Sequence, residues 1–154
     1  MKKIVLLLAL LGLLQADEET ARVVYDLTTS NMAKFEKNIL KGIAVNKAHY
    51  EGNLKELEVA VVIHGGAYRF FVKDIQKSMF NTNLKLVEAY PELKKRIASM
   101  ADTYEVEFLM CKASMSKNHL EAKDVVKFVK IIPNSTIGLI DKQNEGYAYI
   151  PVKD

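Results

Sequence analysis

The sequence of 154 residues is poor in several residue types that define particular classes of protein. It contains one cysteine, Cys111, which excludes a disulfide within the chain and a metal site made of several thiolates. Its three prolines and seven glycines form no linker or low-complexity tract, so one continuous domain is predicted. No run of basic residues exceeds Lys94–Arg96, so neither a nucleic-acid-binding surface nor a polybasic membrane patch is expected.

Residues 1–16 have the layout of a secretory signal peptide. Lys2 and Lys3 precede an apolar run of eleven residues, and the small residue Ala16 marks the predicted cleavage site. The run is shorter than the roughly 20 residues that cross a bilayer, and no cysteine follows it to carry a lipid anchor. An uncleaved anchor is the alternative, because Leu14 is larger than the residue usual at that position of a cleavage site.

Removal of the signal peptide changes the charge of the protein. Residues 17–154 form a mature chain of 138 residues with 20 basic and 19 acidic side chains, a formal charge of +1 instead of +3. That length suits a single domain that buries about two-thirds of its unfolded surface. We expect a periplasmic protein that is not attached to a membrane once the signal peptide is removed.

The mature chain alternates short β-branched runs with stretches of helical periodicity, which is typical of an α/β sheet. Residues 58–64 give the strongest strand prediction, because a nearly continuous apolar run suits a strand covered on both faces. Residues 77–90 give no clear prediction. The predicted strands are 22–27, 58–64, 105–110, 125–132 and 147–152. The predicted helices are 32–47, 67–76, 91–102, 116–124 and 135–145.

Turn and cap residues locate several of these boundaries. The hydroxyl run 28–30 offers caps for the first helix, and Pro91 suits the first turn of the third. Gly146 is placed to end the last helix, and Pro151 predicts that the last strand lies at an edge of the sheet.

Cys111 has the most reactive side chain of the residues predicted at strand ends. Lys112 and the N-terminus of a helix predicted to begin at Ser116 would lower the pKa of its thiol and favour the nucleophilic thiolate. A buried, inert cysteine that packs as a small apolar side chain is an equally good interpretation. The sequence leaves both open.

His64 is the second candidate site residue. It ends a predicted buried strand, and Gly65-Gly66 would let a ligand or a backbone approach closely. A histidine at a strand end often only hydrogen-bonds a neighbouring loop, so a structural role stays open. No nucleotide-binding glycine pattern is present, and neither His49 nor His119 has metal-ligand spacing, so no cofactor and no metal are predicted.

Three segments give the chain a resemblance to a known family. They are a strand that ends in a His-Gly pair, a strand that ends in a cysteine, and a Pro-helix segment that ends in Gln-x-x-Gly-Tyr-Ala-Tyr. In this chain they occupy residues 61–71, 106–117 and 132–150. In this order and spacing the sequence resembles the exported single-domain members of the DsrE/DsrF-like group of sulfur-relay proteins.

The resemblance implies a flavodoxin-like three-layer sandwich with a mainly parallel five-stranded sheet, and assembly into homo-oligomers, trimers or hexamers. It also implies that Cys111 accepts sulfane sulfur as a persulfide and passes it to a thiol-bearing partner. His64 would assist if the fold brings the two strand ends together. Without a second cysteine, the chain cannot resolve such an intermediate alone.

Two other functions remain open at this stage. The first is a non-catalytic oligomeric module that binds a small ligand or partner and in which Cys111 is structural. The second is a small hydrolase or reductase that uses His64 and Cys111, although no third orienting group is identifiable. An accessible thiol of depressed pKa favours sulfur transfer, whereas a buried, slowly alkylated thiol favours the binding module.

Overall fold

A computed structural model describes residues 20–154 as a sheet of five parallel strands with helices on both faces. The predicted signal peptide, residues 1–16, lies outside the described residues. The order of the strands across the sheet is β4-β3-β2-β1-β5. The strands are β1 (Ala21–Leu27), β2 (Leu57–Ile63), β3 (Glu107–Cys111), β4 (Val129–Ile132) and β5 (Ala148–Val152). The predicted three-layer sandwich and parallel sheet are confirmed.

The strands β1 and β2 are buried on both faces. β1 and β2 pair in parallel along their whole length, from Ala21 opposite Leu57 to Leu27 opposite Ile63. Successive strand residues face opposite sides, so a strand inside a three-layer fold must be apolar at nearly every position. This requirement explains why residues 58–64 gave the clearest strand signal.

One face of the sheet carries most of the hydrophobic core. α1 (Met32–Phe35) continues through a π-helical turn (Glu36–Lys41) into α2 (Gly42–Gly52), and α3 (Leu84–Asp102) lies beside them. The core on this face includes apolar side chains from the three central strands and from these helices. Its strand and helix members include Val61, Ile63, Phe108, Phe35, Ile43, Leu93 and Ile97.

A smaller cluster lies on the opposite face under one helix. α4 (Ser135–Asn144) covers Val24, Val62 and Leu109 there, packed with Leu139 of the helix. Gly138 permits close contact with the sheet, because a Cβ at that position would overlap Ile132 and touch Val62. α4 is ten residues long, so it covers the centre of this face and leaves Tyr149 of edge strand β5 exposed.

The boundaries of the first and third helices differ from the prediction. The first helix extends to Gly52 rather than Lys47, and Asn31, not the preceding hydroxyl run, caps it by accepting from the N–H of Lys34 at 3.0 Å. α3 begins at Leu84, so Pro91 lies inside the helix instead of in its first turn. An interior proline costs about 3 kcal/mol. Burial of apolar side chains on both sides of Pro91 offsets that cost.

Two predicted helices are absent from the described chain. Residues 67–76 and 116–124 form only short 3₁₀ segments, at Gly65–Phe70, Ile75–Lys77, Ser116–Asn118 and Ala122–Asp124. Phe70, Phe71 and Val72 are buried consecutively, and consecutive residues cannot share one face of a helix. Val125 forms an isolated antiparallel bridge with Val72, which shortens the strand predicted over 125–132.

The end of the chain folds as predicted. Gly146 follows α4 with a φ of +88°, and β5 pairs only with β1 at the edge of the sheet. Pro151 is therefore tolerated, since an edge strand does not need every N–H. No helix within residues 20–154 is long and apolar enough to cross a membrane.

Candidate functional site

His64 and Cys111 lie at the same edge of the sheet on neighbouring strands. β2 and β3 pair in parallel with Ile63 opposite Met110, so the next residue on each strand reaches the same level. Cys111 is the last residue of β3, and His64 directly follows β2. In open α/β sheets this carboxyl edge is where ligands bind. The sequence placed both residues at strand ends but did not show that these ends are adjacent.

Cys111 is enclosed by a tyrosine and a turn. Its exposed fraction is 3%, and the side chain of Tyr68, from the turn after β2, is fully buried beside it. The Tyr68 hydroxyl donates a hydrogen bond to the carbonyl oxygen of Cys111 at 2.6 Å. The same hydroxyl also lies within hydrogen-bonding reach of the thiol.

Two opposing effects set the pKa of the Cys111 thiol. Burial raises it, but hydrogen bonds from the Tyr68 hydroxyl and from the backbone N–H groups of Ser135, Ser114 and Ala113 outweigh burial and lower the pKa below its ordinary value of 9.0. Donors that point at sulfur favour the thiolate over the thiol. The site therefore stabilises the nucleophilic form.

The donors around the thiol are not the predicted ones. Residues 116–124 form no helix, and the helix whose N-terminus serves Cys111 is α4, which begins at Ser135 after the neighbouring strand β4. The side chain of Lys112 is exposed, and the donors that lower the pKa are uncharged. Sequence reasoning missed Tyr68 and Ser135, because only the pairing of β3 with β2 and with β4 brings them to the cysteine.

His64 belongs to a chain of three hydrogen-bonded side chains. Its Nε2 lies 2.5 Å from Oδ1 of Asp26, and the hydroxyl of Tyr149 donates to Oδ2 of Asp26 at 2.6 Å. The hydrogen bond to Asp26 is the main cause that raises the pKa of Tyr149. Asp26 is 6% exposed, so its two partners supply the hydrogen bonds that a buried carboxylate needs.

The hydrogen bond of His64 lies on the side of β2 away from Cys111. Asp26 lies on β1, which flanks β2 on the side opposite to β3. Within residues 20–154 no hydrogen bond joins His64 to Cys111. The structure therefore makes the two strand ends neighbours but gives their side chains separate partners.

The Gly65-Gly66 pair serves packing against the loop after β1. Gly65 has a φ of +58°, and a Cβ on Gly66 would lie 2.7 Å from Cβ of Ser30 and 3.0 Å from its backbone nitrogen. The N–H of Gly66 donates to the carbonyl oxygen of Thr28 at 2.9 Å. The two glycines therefore allow the turn after β2 to approach the loop after β1 closely, and this close approach is within the chain instead of to a ligand.

The hydroxyl run after β1 holds a carboxylate of the same chain. Thr29 Oγ1 hydrogen-bonds Asp154, and the N–H and hydroxyl of Ser30 donate to that carboxylate at 3.1 and 2.9 Å. These donors lower the pKa of Asp154 to about 2. The contacts fasten the segment after β5 across the end of β1.

Other candidate chemistry is spread over the surface. His49 packs edge-on against Tyr50, and His119 is an exposed residue of left-handed backbone conformation. Within residues 20–154 no three His, Cys, Asp or Glu side chains are grouped to hold a metal ion.

A cavity of about 640 Å³ lies between α3 and the loops after β2 and β3, and neither Cys111 nor His64 lines it.

Comparisons with known proteins agree with this architecture. The sequence model of the DsrE/DsrF-like family matches residues 13–152. An uncharacterized protein of Aquifex aeolicus is 27% identical over 110 residues, which are 64% of this chain and 46% of that protein, so the chain spans about half of its length. The structure of MTH1491, a protein of unknown function from Methanobacterium thermoautotrophicum, superposes with a TM-score of 0.60 at 18% identity. This match covers 85% of this chain and 98% of the other, and it establishes the fold alone.

Proposed function

Because the chain belongs to the DsrE/DsrF-like family, we propose that it binds or transfers sulfane sulfur as a persulfide on Cys111. The observation that carries the proposal is the set of donors around the thiol. A thiolate is the nucleophile in sulfur exchange, and the Tyr68 hydroxyl and the N–H of Ser135 both favour it. Membership in the family, which suggests sulfur relay, supports the same chemistry.

Loading of Cys111 would follow the logic of thiol-disulfide exchange. The Cys111 thiolate attacks the terminal sulfur of a donor R–S–SH, and a new S–S bond forms at Cys111. The S–S bond of the donor breaks, and R–S⁻ leaves with the bonding electron pair, so no external oxidant or reductant is consumed. The chain holds no second cysteine, and discharge therefore requires a thiol on another molecule.

Burial sets a condition on this reaction. Cys111 is 3% exposed, so a donor reaches its sulfur only when the Lys112–Ser114 turn or the first turn of α4 moves aside. Short 3₁₀ turns have few internal hydrogen bonds, and their local opening costs less than global unfolding. Restricted access would also protect a persulfide from adventitious thiols.

We further propose that the protein is exported to the periplasm and assembles into a homo-oligomer, a trimer or hexamer. The layout of residues 1–16 supports export. Exposed apolar side chains on α4 and β5 support assembly, because apolar surface of this kind can be covered by a second copy of the chain. They are Ile137, Ile140, Tyr149 and Ile150.

Intact mass analysis after exposure to inorganic polysulfide tests the sulfur proposal. We expect the protein to gain the mass of one or more sulfur atoms and Cys111→Ser to gain none. Addition that persists in Cys111→Ser, or no addition to the native chain, would contradict a persulfide at Cys111.

Sedimentation at micromolar concentration tests the proposed homo-oligomer, and a monomer would contradict it.

One observation favours the alternative, a non-catalytic oligomeric module that binds a small ligand or partner. The near-complete burial of Cys111 is what a structural cysteine requires. Alkylation of the folded protein separates the two functions. A thiol that reacts only at the rate of global unfolding, with no gain of sulfur mass, would favour the binding module.

A further inference from the structure

The Asp26–His64 pair is not used in the loading of Cys111. Four donors of its own already lower the pKa of the Cys111 thiol, and His64 is hydrogen-bonded to a residue of β1 instead of β3. A carboxylate-bound imidazole at the carboxyl edge of a sheet is nevertheless an arrangement suited to moving a proton. The pair therefore calls for a function separate from that of the thiol.

Asp26 fixes which nitrogen of His64 is basic. An ionised carboxylate only accepts hydrogen bonds, and Oδ2 already accepts from Tyr149, so the proton between Asp26 and His64 belongs to Nε2. Within the described residues, Nδ1 has no hydrogen-bond partner, and the side chain is 25% exposed. Nδ1 is thus left as the acceptor nitrogen of a partly exposed side chain.

The distance between neighbouring strands is similar to the distance from Sγ of Cys111 to a second sulfur that attacks its persulfide. A persulfide bond extends about 2 Å beyond Sγ of Cys111. An attacking sulfur would stand about 3–3.5 Å further on. Neighbouring strands lie about 4.8 Å apart. Because His64 directly follows the adjacent strand, a thiol that attacks the persulfide from the β2 side would stand beside His64.

We propose that His64, positioned by Asp26, is the general base that activates an incoming thiol to discharge the Cys111 persulfide. This inference rests on the proposed sulfur chemistry of Cys111. Nδ1 takes the proton of the acceptor thiol R–SH, and R–S⁻ attacks the outer sulfur of Cys111–S–SH. The persulfide bond breaks, the Cys111 thiolate leaves with its electron pair, R–S–SH forms, and the imidazolium returns its proton to solvent.

The proposal specifies a class of acceptor. An ordinary thiol has a pKa of about 8.5 and is mostly protonated at neutral pH, so it gains from a base. An aromatic thiol that is already ionised gains nothing. The substrates of this site are therefore alkyl thiols of ordinary acidity, on a small molecule or a partner protein.

Single-turnover discharge of the loaded protein tests the assignment. Native protein, His64→Gln and the matched control His119→Gln are loaded with polysulfide and checked by intact mass. Loss of the added sulfur is then followed with an alkyl thiol and with an ionised aromatic thiol. We expect His64→Gln to slow discharge by the alkyl thiol about 10²-fold. Discharge by the aromatic thiol should change little, and His119→Gln should resemble the native protein with both.

Different outcomes overturn different claims. Equal slowing with both thiols would show that His64 only shapes the site, and an unchanged rate with the alkyl thiol would remove it from the reaction. Failure of the native protein to load would overturn the sulfur proposal and this inference together. Nitrogen-15 spectra of His64 give a readout without turnover, since an Nε2-protonated tautomer is expected and the opposite tautomer would contradict positioning by Asp26.

Discussion

The hydroxyl of Tyr68 donates to the carbonyl oxygen of Cys111 at 2.6 Å and joins the turn after β2 to the last residue of β3. One side chain thus links the two strand ends at the carboxyl edge of the sheet. It also lies within reach of the thiol, whose pKa it lowers. Tyr68 is therefore both a structural tie and a part of the electrostatic environment of the candidate site.

Removal of the Tyr68 hydroxyl is expected to affect stability and acidity together. In Tyr68→Phe the buried carbonyl loses its partner, which costs about 1–3 kcal/mol in the free energy of unfolding. The pKa of Cys111 should rise, because burial continues to oppose the thiolate while one donor is lost. Urea unfolding and the pH dependence of thiolate absorbance measure the two effects. An unchanged thiol pKa would show that Tyr68 serves only the carbonyl.

The N–H of Ser135 can be removed with little disturbance of α4. Ser135 is the first residue of that helix, where proline is tolerated, and Asn134 before it already has an extended backbone. We expect Ser135→Pro to raise the pKa of the Cys111 thiol because a donor to sulfur is lost. Ser135→Ala keeps the N–H and serves as the control. Equal thiol titrations in the two variants would contradict a role for the helix N-terminus.

Asp154 is expected to make stability depend on pH in the acid range. Its pKa is lowered to about 2 from an ordinary 3.8 by the donors of Thr29 and Ser30. A group with a depressed folded pKa stabilises the fold above its unfolded pKa and loses that contribution as pH falls through the folded one. The native protein should therefore exceed Asp154→Asn in thermal midpoint at pH 6. The difference should shrink between about pH 4 and pH 2, and a gap of the same size at pH 2 as at pH 6 would contradict this origin.

The two glycines Gly66 and Gly52 should respond in opposite ways to alanine. A Cβ on Gly66 would lie 2.7 Å from Cβ of Ser30, so Gly66→Ala forces the two loops apart and should cost about 1–3 kcal/mol. No atom lies within 4 Å of a Cβ on Gly52, in the last turn of α2, and alanine there should be neutral or stabilising by about 0.5–1 kcal/mol. Urea unfolding of both variants measures the contrast. Similar effects at both positions would contradict the packing of the His-Gly-Gly turn.

The sheet was predictable because its strands carry their own signal. A strand buried on both faces must be apolar at nearly every position, and residues 59–63 meet that condition without reference to any other part of the chain. The loops after β2 and β3 were predicted wrongly as helices, because their apolar residues depend on contacts with distant parts of the chain. Phe70 and Phe71 are buried because they pack against different elements, Phe70 against Phe35 and Phe71 against Phe108. Such contacts have no local periodicity, so the sequence pattern does not reveal them.

The features of the candidate site also fall into those that the sequence predicts and those that only the fold decides. The sequence by itself determined that Cys111 and His64 stand at strand ends and that any sulfur chemistry needs an outside thiol, because strand ends follow from local patterning and cysteines can be counted. Only the tertiary structure decided that β2 and β3 are neighbours, that α4 aims its N-terminus at the thiol, and that His64 is bound to Asp26. These relationships join residues far apart in the chain, and they exist only once the parallel strands have paired.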